Sequence, residues 1–555
     1  MIFYKRFLIY LLPFFVFFFA CDDEPVQEGR SRVRKEQHAS GPVHDQDPVR
    51  GGVAVLGLSG EPSNLIPPLA SDSASHEVAD LIFVAPLRYN KDLELEPWAA
   101  EKYTVKDNGT RLRFKLREDI KWFDGEPLTA KDVRFTYELM TDPDTPTAYA
   151  EDYKRIEDFR LLDEYTFEVI YEEPFARSLV TWAHAILPRH RLRDQDLMQT
   201  EYSRKPMGAG PFRLKEWEAG RRLILEANPD YFLGRPNLDG VIYRIIPDPA
   251  TMFMELKARN LDMMTLSPQQ YLFQTSGEFW EDNFNKYKYL SSSYTYMGYN
   301  LDHPLFSDRR VRRALALAID KEEIVKGVLL GQGVSTIGPY KPGTWVYNED
   351  IQDYGYDPQK ASELLEECGW EDRDQDGILD KNGRPFSFTL LTSQGNDLRI
   401  KAATIIQYRL QQIGIKMEIR TVEWATFIKE FVDKRRFEAL LLGWNIVQDP
   451  DLFDVWHSSK IEGRGLNFVG YSNPELDSLL VRGRKTLNRR ERKKIYDRVQ
   501  EILHRDQPYC FLYVPKALPA VDSRFKGIEP APAGITYNLS RWWVPKARQK
   551  HFLQR

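Results

Sequence analysis

The chain has 555 residues, which is too long for one compact hydrophobic core, so we expect two or three subdomains. Its 77 basic and 82 acidic residues give a formal net charge of −5, and a protein with this balance lacks the long-range positive field that attracts nucleic acid. After residue 20 no segment is long and apolar enough to span a bilayer, so we expect the body to fold in water.

The N-terminus has the pattern of a secretion signal. Lys5 and Arg6 precede thirteen mainly apolar residues that end at Ala20, directly before Cys21. A helix of that length covers about 20 Å and a hydrocarbon core is about 30 Å thick, so the pattern predicts a cleaved signal peptide over residues 1–20. Ala20 and Cys21 resemble the end of a bacterial lipobox, which predicts lipid attachment to the Cys21 sulfur. An ordinary signal peptide with an incidental cysteine is the alternative.

Residues 21–49 are almost entirely polar and charged. Such a stretch cannot bury enough apolar surface to offset the entropy lost on ordering. We therefore predict a flexible tether between the lipidated Cys21 and the folded body.

Strand-like and helix-like segments alternate along the body, which favours an α/β fold with helices covering the sheets. Residues 309–320 have one apolar face at helical spacing and a capping signal at residues 307–308. A second helix is predicted over residues 398–413. Gly414 ends it, and the alternating residues 415–420 predict a half-buried strand directly afterwards.

The C-terminal part continues this alternation. Residues 440–443 read as a buried strand. Asn488 with Glu491 resembles a capping box and predicts a helix, which is followed by a strand over residues 509–514.

Segments spread along the body resemble motifs of the family 5 solute-binding proteins, the peptide and nickel class of receptors for ABC importers. They are residues 60–67 (GEPSNLIP), 114–117 (FKLR), 120–133 (IKWFDGEPLTAKDV), 207–212 (MGAGPF), 228–231 (NPDY), Asn300, 311–315 (VRRAL) and 318–321 (AIDK). The segments occur in the family's order and span residues 50 to about 530, which is nearly all of the predicted mature chain.

The resemblance implies a two-lobed α/β fold of the periplasmic-binding-protein type, with an extra subdomain and a ligand cleft between the lobes. The expected division is a signal peptide (1–20), a tether (21–49), lobe I (50–86, 206–296 and 517–555), a subdomain inserted in lobe I (87–205) and lobe II (297–516).

The resemblance also implies a function. We expect a monomeric, extracytoplasmic component of an ABC importer that binds an oligopeptide-like ligand and delivers it to permease subunits, without a cofactor. Lipid on Cys21 would hold it at the membrane in the periplasm or cell envelope. Binding of an oligosaccharide or a metal chelate, sensing without transport, and an anchored hydrolase remain open alternatives. The sequence contains no HExxH, GxSxG, Walker or paired CxxC motif, so we expect no enzyme.

Candidate ligand-binding residues follow the predicted strand 440–443, where polar, aromatic and proline residues begin. In peptide-binding relatives, a tryptophan similar to Trp444 lines the cavity and an acid three residues later pairs with the peptide amino terminus. That position is Val447 here. Asp449 would supply the acid after a loop shift, or it fixes the turn before a proline. Asn445, next to Trp444, is a further candidate.

Four other residues are candidates for ligand contact. Trp456 would line the cavity or belong to the core. Asn300 and Tyr294 lie near the predicted crossing into lobe II, where they would contact ligand or form hinge hydrogen bonds. Arg399 would bind a ligand carboxylate or remain solvated in the first turns of its helix.

An acidic turn gives a weak calcium candidate. Asp372, Asp374 and Asp376 have the D-x-D-x-D-G spacing of a calcium loop, but Gly383 occupies the twelfth position, where an EF-hand places a bidentate glutamate. A tight acidic turn before a strand is the other interpretation.

Overall fold

A computed structural model describes residues 47–553 except residues 71, 148, 447, 463 and 464, and it leaves out the side chain of residue 425. The expected signal peptide, Cys21 and nearly all of the expected tether therefore lie outside the described residues. In the described part of the chain, no helix has both the length and the apolar character needed to cross a membrane.

Strands occur throughout the described residues. In chain order they are β1 Val53–Leu58, β2 Leu87–Tyr89, β3 Leu95–Pro97, β4 Ala100–Lys106, β5 Arg111–Leu116, β6 Ile156–Leu161, β7 Thr166–Tyr171, β8 Phe212–Glu218, β9 Arg222–Ala227, β10 Gly240–Ile245, β11 Met263–Thr265, β12 Phe284–Lys286, β13 Tyr289–Leu290, β14 Ser293–Tyr299, β15 Gly333–Ser335, β16 Asp380–Lys381, β17 Arg384–Pro385, β18 Ser387–Ser393, β19 Lys416–Val422, β20 Ala439–Asn445, β21 Tyr509–Ala517 and β22 Pro519–Asp522.

Helices connect many of these strands. They are α1 Ser73–Ile82, α2 Ala130–Thr141, α3 Ala150–Tyr153, α4 Arg189–Leu192, α5 Pro249–Lys257, α6 Glu278–Asn283, α7 Arg309–Ala318, α8 Lys321–Gly327, α9 Pro358–Glu367, α10 Asp397–Gln411, α11 Trp424–Thr426, α12 Phe453–Trp456, α13 Pro474–Lys485 and α14 Arg489–Asp506.

Lobe I is built on a seven-stranded sheet with the strand order β12-β22-β11-β1-β10-β9-β8. Its strands come from three separate parts of the chain, and β1 runs parallel to its neighbours β10 and β11. Apolar side chains cover both faces, with Val78, Ala79 and Ile82 of α1 in one of the two cores. The N-cap of α1 is Asp72, whose carboxylate accepts a hydrogen bond from the Ser75 amide.

The inserted subdomain contains the antiparallel sheet β4-β5-β7-β6 and the pair β2-β3. Its core is aromatic: Phe114 and Phe167 stack with ring centroids 4.9 Å apart, and Trp182 packs against both rings. Helix α2 starts with a capping box between Thr129 and Asp132, in the motif IKWFDGEPLTAKDV. The motif therefore folds as the turn and cap that bring α2 onto the aromatic core.

Lobe II contains a second seven-stranded sheet, ordered β13-β21-β14-β20-β18-β19 with β15 beside β21. Helix α7 packs its predicted apolar face into one core, and Asp308 caps it by accepting a hydrogen bond from the Arg310 amide. Helix α10 connects the parallel strands β18 and β19, so its N-terminus lies at the carboxyl end of β18. Asn488 caps α14 by accepting hydrogen bonds from the Arg490 and Glu491 amides.

Two adjacent chain segments cross between the lobes. One joins β12 of lobe I to β13 of lobe II, and the other joins β21 of lobe II to β22 of lobe I. The Tyr287 amide donates to the Pro519 carbonyl across the two crossings. The expected boundary between residues 296 and 297 falls inside β14, which pairs only with lobe II strands among those described. The crossing lies earlier, at residues 287–288, because the strand pairing changes sheets there.

The expected fold class is confirmed: the described body is a two-lobed α/β fold with an inserted subdomain. The helices at 309–318 and 397–411 and the strands at 416–422 and 509–517 lie where the apolar periodicity predicts them, within a few residues.

Candidate ligand cleft

Trp444 and Asn445 lie at the carboxyl end of β20, next to the crossing segments. In the sheet Trp444 is opposite Tyr294, and Asn445 is opposite Ser293 at the start of β14. The Trp444 ring is half-buried, stacks on Phe468 with centroids 5.9 Å apart, and donates its Nε1 hydrogen to the Tyr509 hydroxyl at 3.4 Å. Asn445 is exposed. The pair therefore presents an aromatic edge and an amide at the rim of lobe II.

Tyr294 and Trp456 lie beneath this rim in the lobe II core. Tyr294 packs against Phe511 with centroids 5.6 Å apart, and Trp456 packs against Tyr509 with centroids 4.4 Å apart. Trp456 has no exposed surface. Both rings thus support Trp444 from below, and a ligand contact with either remains a prediction.

Asp449 is buried and bound to an arginine. Its two carboxylate oxygens accept hydrogen bonds from both terminal nitrogens of Arg492, each at 2.7 Å. Burial alone would lower the pKa of Arg492, but the Asp449 charge raises it above its usual value. Because the Asp449 charge is already balanced, a ligand ammonium would have to share it with Arg492. Val447 lies outside the described residues.

Asn300 is not brought together with these residues. It follows the end of β14 that is remote from Tyr294, and its side-chain amide donates to the Phe437 carbonyl at 2.9 Å and to the Arg435 carbonyl at 3.2 Å. This geometry fits the structural alternative, a junction between β14 and the segment before β20.

Arg399, in the first turn of α10, reaches the same rim as Trp444. A Cβ atom built on Gly443 would lie 2.7 Å from an Arg399 terminal nitrogen, so the glycine makes room for the guanidinium. Burial lowers the pKa of Arg399, and among the described residues its side chain has no hydrogen-bond or ion-pair partner. A half-buried guanidinium without a carboxylate is suited to an anionic ligand group.

The acidic turn lies elsewhere in lobe II. The carboxylates of Asp372, Asp374 and Asp376 are exposed and converge within 4.8 Å of one another. All three also bind the turn itself: Asp372 accepts from the Gly377 amide at 3.1 Å, Asp374 from the Asp376 amide at 3.3 Å and Asp376 from the Ile378 amide at 2.8 Å. These bonds fit an acidic turn before the hairpin β16-β17, and calcium binding there stays a prediction.

A cavity of about 640 Å³ lies between lobe I, the inserted subdomain and the loop that follows β20. Its wall is largely aromatic and apolar, and Gln448 is its contribution from lobe II. Such a volume and lining are typical of small-molecule sites. Its titratable lining includes Glu77, Asp80, Arg88, Tyr149, His184 and Tyr243.

None of these lining residues stands out in the sequence. Glu77 and Asp80, for example, look like ordinary solvated acids of an amphipathic helix. One signal was present: α1 contains no lysine or arginine that could pair with them.

Lobe II also contacts the inserted subdomain directly. Arg177 of the insert binds Asp152 at 2.8 Å and lies 3.9 Å from Asp451 of lobe II. Close by, Lys485 at the end of α13 forms an ion pair with Glu173 of the insert. The insert and lobe II therefore meet through ion pairs.

A family model described as bacterial extracellular solute-binding proteins, family 5, middle, matches residues 94–462. The match covers more than half of the chain and includes most of the insert, the crossing at residues 287–288 and most of lobe II. The chain belongs to this family. The oligopeptide-binding protein AppA of Bacillus subtilis (strain 168) is 34% identical over 521 residues, which cover 92% of this chain and 95% of AppA.

Solved structures of family 5 proteins have the same architecture. The structure of AppA from Bacillus subtilis in complex with a nonapeptide is 34% identical, with a TM-score of 0.80, and the similarity covers 90% of this chain and 100% of that one. The structure of NikZ from Campylobacter jejuni in complex with Ni(L-His) is 26% identical, with a TM-score of 0.79, covering 88% and 99%. The family includes proteins solved with a peptide and with a metal chelate.

Proposed function

We propose that this family 5 protein is the extracytoplasmic solute-binding component of an ABC importer and that it binds oligopeptides between its two lobes. The observation that carries the proposal is the cavity bounded by lobe I, the insert and the loop after β20, in a chain 34% identical to an oligopeptide-binding protein. We infer no reaction on the ligand, because a transport receptor delivers its cargo unchanged.

The rim of lobe II, which lies outside the lining of the cavity itself, has a role in this proposal. The Trp444 edge offers apolar surface to a side chain, and the unpaired Arg399 offers two parallel hydrogen bonds to a carboxylate. Asn445 would bind peptide backbone. Tyr294, Trp456, Asp449 and Asn300 would hold the rim and its loop in place.

Closure about the two crossing segments would couple binding to transport. A ligand that touches both lobes only when they are close together shifts the equilibrium towards the closed form, which permease subunits can recognise by its shape. The short crossings at residues 287–288 and 518 are suited to act as the hinge, because few dihedral angles must change there. We propose that the protein acts as a monomer.

Lipid attachment at Cys21 completes the proposal. A lipid there and a polar tether over residues 21–49 would keep the receptor near its permease at the membrane, in the periplasm or cell envelope. Replacing Cys21 by serine in the full chain should then move the protein from the membrane fraction to the soluble fraction, and retention in the membrane would contradict lipid anchoring.

The direct test is isothermal titration calorimetry of the purified protein with defined peptides of two to nine residues. Micromolar or tighter binding of at least one length class is expected, together with a smaller radius of gyration in X-ray scattering when the ligand is bound. Failure of every peptide to bind, with the protein folded, would refute the proposed ligand class.

A nickel–histidine chelate is the second candidate, favoured by the NikZ complex and by His76 and His184 in the cavity wall. Burial lowers the pKa of His184 to about 4, so it is neutral at pH 7 and able to contact a chelate. Titration with Ni²⁺ and L-histidine together, beside the peptide titrations, distinguishes the two candidates.

A further inference from the structure

Two carboxyl groups of α1 face the cavity without a cationic partner. Glu77 and Asp80 are three residues apart, so they lie on one face of the helix, and both line the cavity. Among the described residues, neither makes a hydrogen bond or an ion pair. Both side chains have exposed surface, but this surface lines the cavity. Protein therefore surrounds the two carboxyl groups.

Four buried carboxylates elsewhere in the protein have arginine partners. The pairs are Asp449–Arg492, Asp451–Arg484, Asp262–Arg524 and Glu168–Arg113. The described cavity wall offers no such partner to Glu77 and Asp80, since its one arginine, Arg88, is bound to Glu96 at 2.8 Å. Arginine thus neutralises these four carboxylates, and backbone amides hold buried Asp132, whereas Glu77 and Asp80 have neither kind of partner among the described residues.

A third polar group lies in the same part of the wall. Tyr243 of β10 is only 2% exposed and lines the cavity, and its hydroxyl has no hydrogen-bond partner among the described residues. Burial raises the pKa of Tyr243 well above its usual value, and the charges of Glu77 and Asp80 raise it further, so the three groups are close together. The ring of Tyr243 is held in the core, and its unpartnered hydroxyl at the cavity wall is available to a hydrogen-bonding group of a ligand.

From this arrangement we propose that the cavity takes a ligand with a cationic nitrogen, an ammonium or a guanidinium, held by Glu77 and Asp80 with the Tyr243 hydroxyl beside them. The proposal rests on the proposed function and deepens it by assigning the group that binds the cationic nitrogen of the peptide. The nitrogen comes from the amino terminus of the peptide or from a lysine or arginine side chain, since both present N–H donors and a positive charge.

The affinity for a cationic ligand should change with pH in a definite direction. Burial, and then Asp80, raise the pKa of Glu77 to about 7, and burial raises that of Asp80 to about 6 against a smaller opposite effect of His76. Two tyrosines also feel these charges, Tyr149 from the insert and Tyr243 from β10, and because their pKa values are raised both stay neutral in this range. Both carboxyls ionise between pH 5 and pH 8, so affinity for a cationic ligand should rise over that interval.

The same raised pKa values make the stability of the ligand-free protein depend on pH. Because both carboxyls hold their protons more tightly when folded than when unfolded, the stability they contribute is complete below about pH 4 and is lost as the pH rises towards 7. Glu77→Gln should therefore raise the melting temperature at pH 8 and leave it nearly unchanged at pH 4, which also shows that the variant folds.

The test uses five alanine pentapeptides, each with a single lysine at a different position. A second set replaces the lysine by norleucine, and both sets are also made with an acetylated amino terminus. Calorimetry at pH 5 and pH 8 compares the wild-type protein, Glu77→Gln, Asp80→Asn and the double variant. Glu366→Gln, an exposed glutamate of α9, is the matched control.

We expect the wild-type protein at pH 8 to bind at least one peptide with a free cationic nitrogen tenfold to a hundredfold more tightly than its neutral counterpart, the range of a charged hydrogen bond. The double variant should lose this preference and Glu366→Gln should keep it. Loss on acetylation assigns the nitrogen to the amino terminus, and loss on norleucine substitution assigns it to the side chain.

Two results would overturn the inference. If neutral and cationic peptides bind equally, or if the double variant keeps the preference, the carboxylate pair does not select the ligand and the proposed function stands. If no peptide binds while the melting curves show folded protein, the proposed function fails and this inference fails with it.

Discussion

At the scale of single residues, the structure separates groups that support the cleft from groups that are free to meet a ligand. Asp449 is neutralised by Arg492, whereas Arg399 on lobe II and Glu77 and Asp80 on lobe I have no partner of opposite charge among the described residues. The unpaired charge is positive on lobe II and negative on lobe I. A zwitterionic ligand such as a peptide matches that distribution.

Trp444 is the residue for which a ligand role can be tested most simply. Replacing it by alanine should weaken peptide binding about tenfold to a hundredfold, because aromatic side chains at a rim contribute much of the contact area. Its ring is only half-buried, so unfolding should remain cooperative. Calorimetry and a urea melt measure both effects. Tyr408→Ala, which removes a 54% exposed ring from α10, is the control, and unchanged affinity in Trp444→Ala would remove Trp444 from the site.

At the scale of secondary-structure elements, the glycines of the MGAGPF segment explain how α1 is held in place. The Gly210 amide donates to the Ile82 carbonyl at 2.8 Å, and a Cβ on Gly208 would lie 1.9 Å from the same carbonyl oxygen. The segment therefore returns to lobe I by passing directly over the end of α1. It fixes the helix that carries Glu77 and Asp80.

Gly208→Ala should consequently destabilise the protein by about 1–3 kcal/mol, because the added methyl forces the two backbones apart. It should also weaken ligand binding, since the end of α1 shifts. Gly60→Ala is the control, as a Cβ there meets no atom within 4 Å. Denaturant unfolding of both variants measures the difference, and equal midpoints would show that the close approach is not needed.

At the scale of the whole molecule, contact between lobe II and the insert should stabilise the closed form. Lys485→Glu places two like charges at the Glu173 contact and should weaken ligand binding about twofold to fivefold, as expected of an exposed ion pair. The reversed pair Glu173→Lys/Lys485→Glu should recover most of the affinity.

Calorimetry at low and high salt measures this contribution. The difference between Lys485→Glu and the wild-type protein should shrink as salt screens the charges. An effect of the single substitution that the double substitution does not reverse would show that Lys485 acts otherwise than through Glu173.

Much of the fold can be predicted from the sequence, because local patterns carry it. The apolar faces of α7 and α10, the alternation in β19 and the cap at Asn488 each follow from spacing within one segment. The motif order predicts the two-lobed architecture. The boundary of lobe II was misplaced inside β14, since sheet membership depends on a partner strand more than two hundred residues away.

The sequence by itself determined several helices and strands, the family and the place of Trp444 near the end of a strand, because these depend on residue type and spacing along the chain. Only the tertiary structure decided which charges are neutralised. Asp449, in the loop after β20, meets Arg492 of α14, and Glu77, Asp80 and Arg399 meet no opposite charge among the described residues. Pairing of charges depends on distances of a few ångströms between segments far apart in the chain, and no local pattern records those distances.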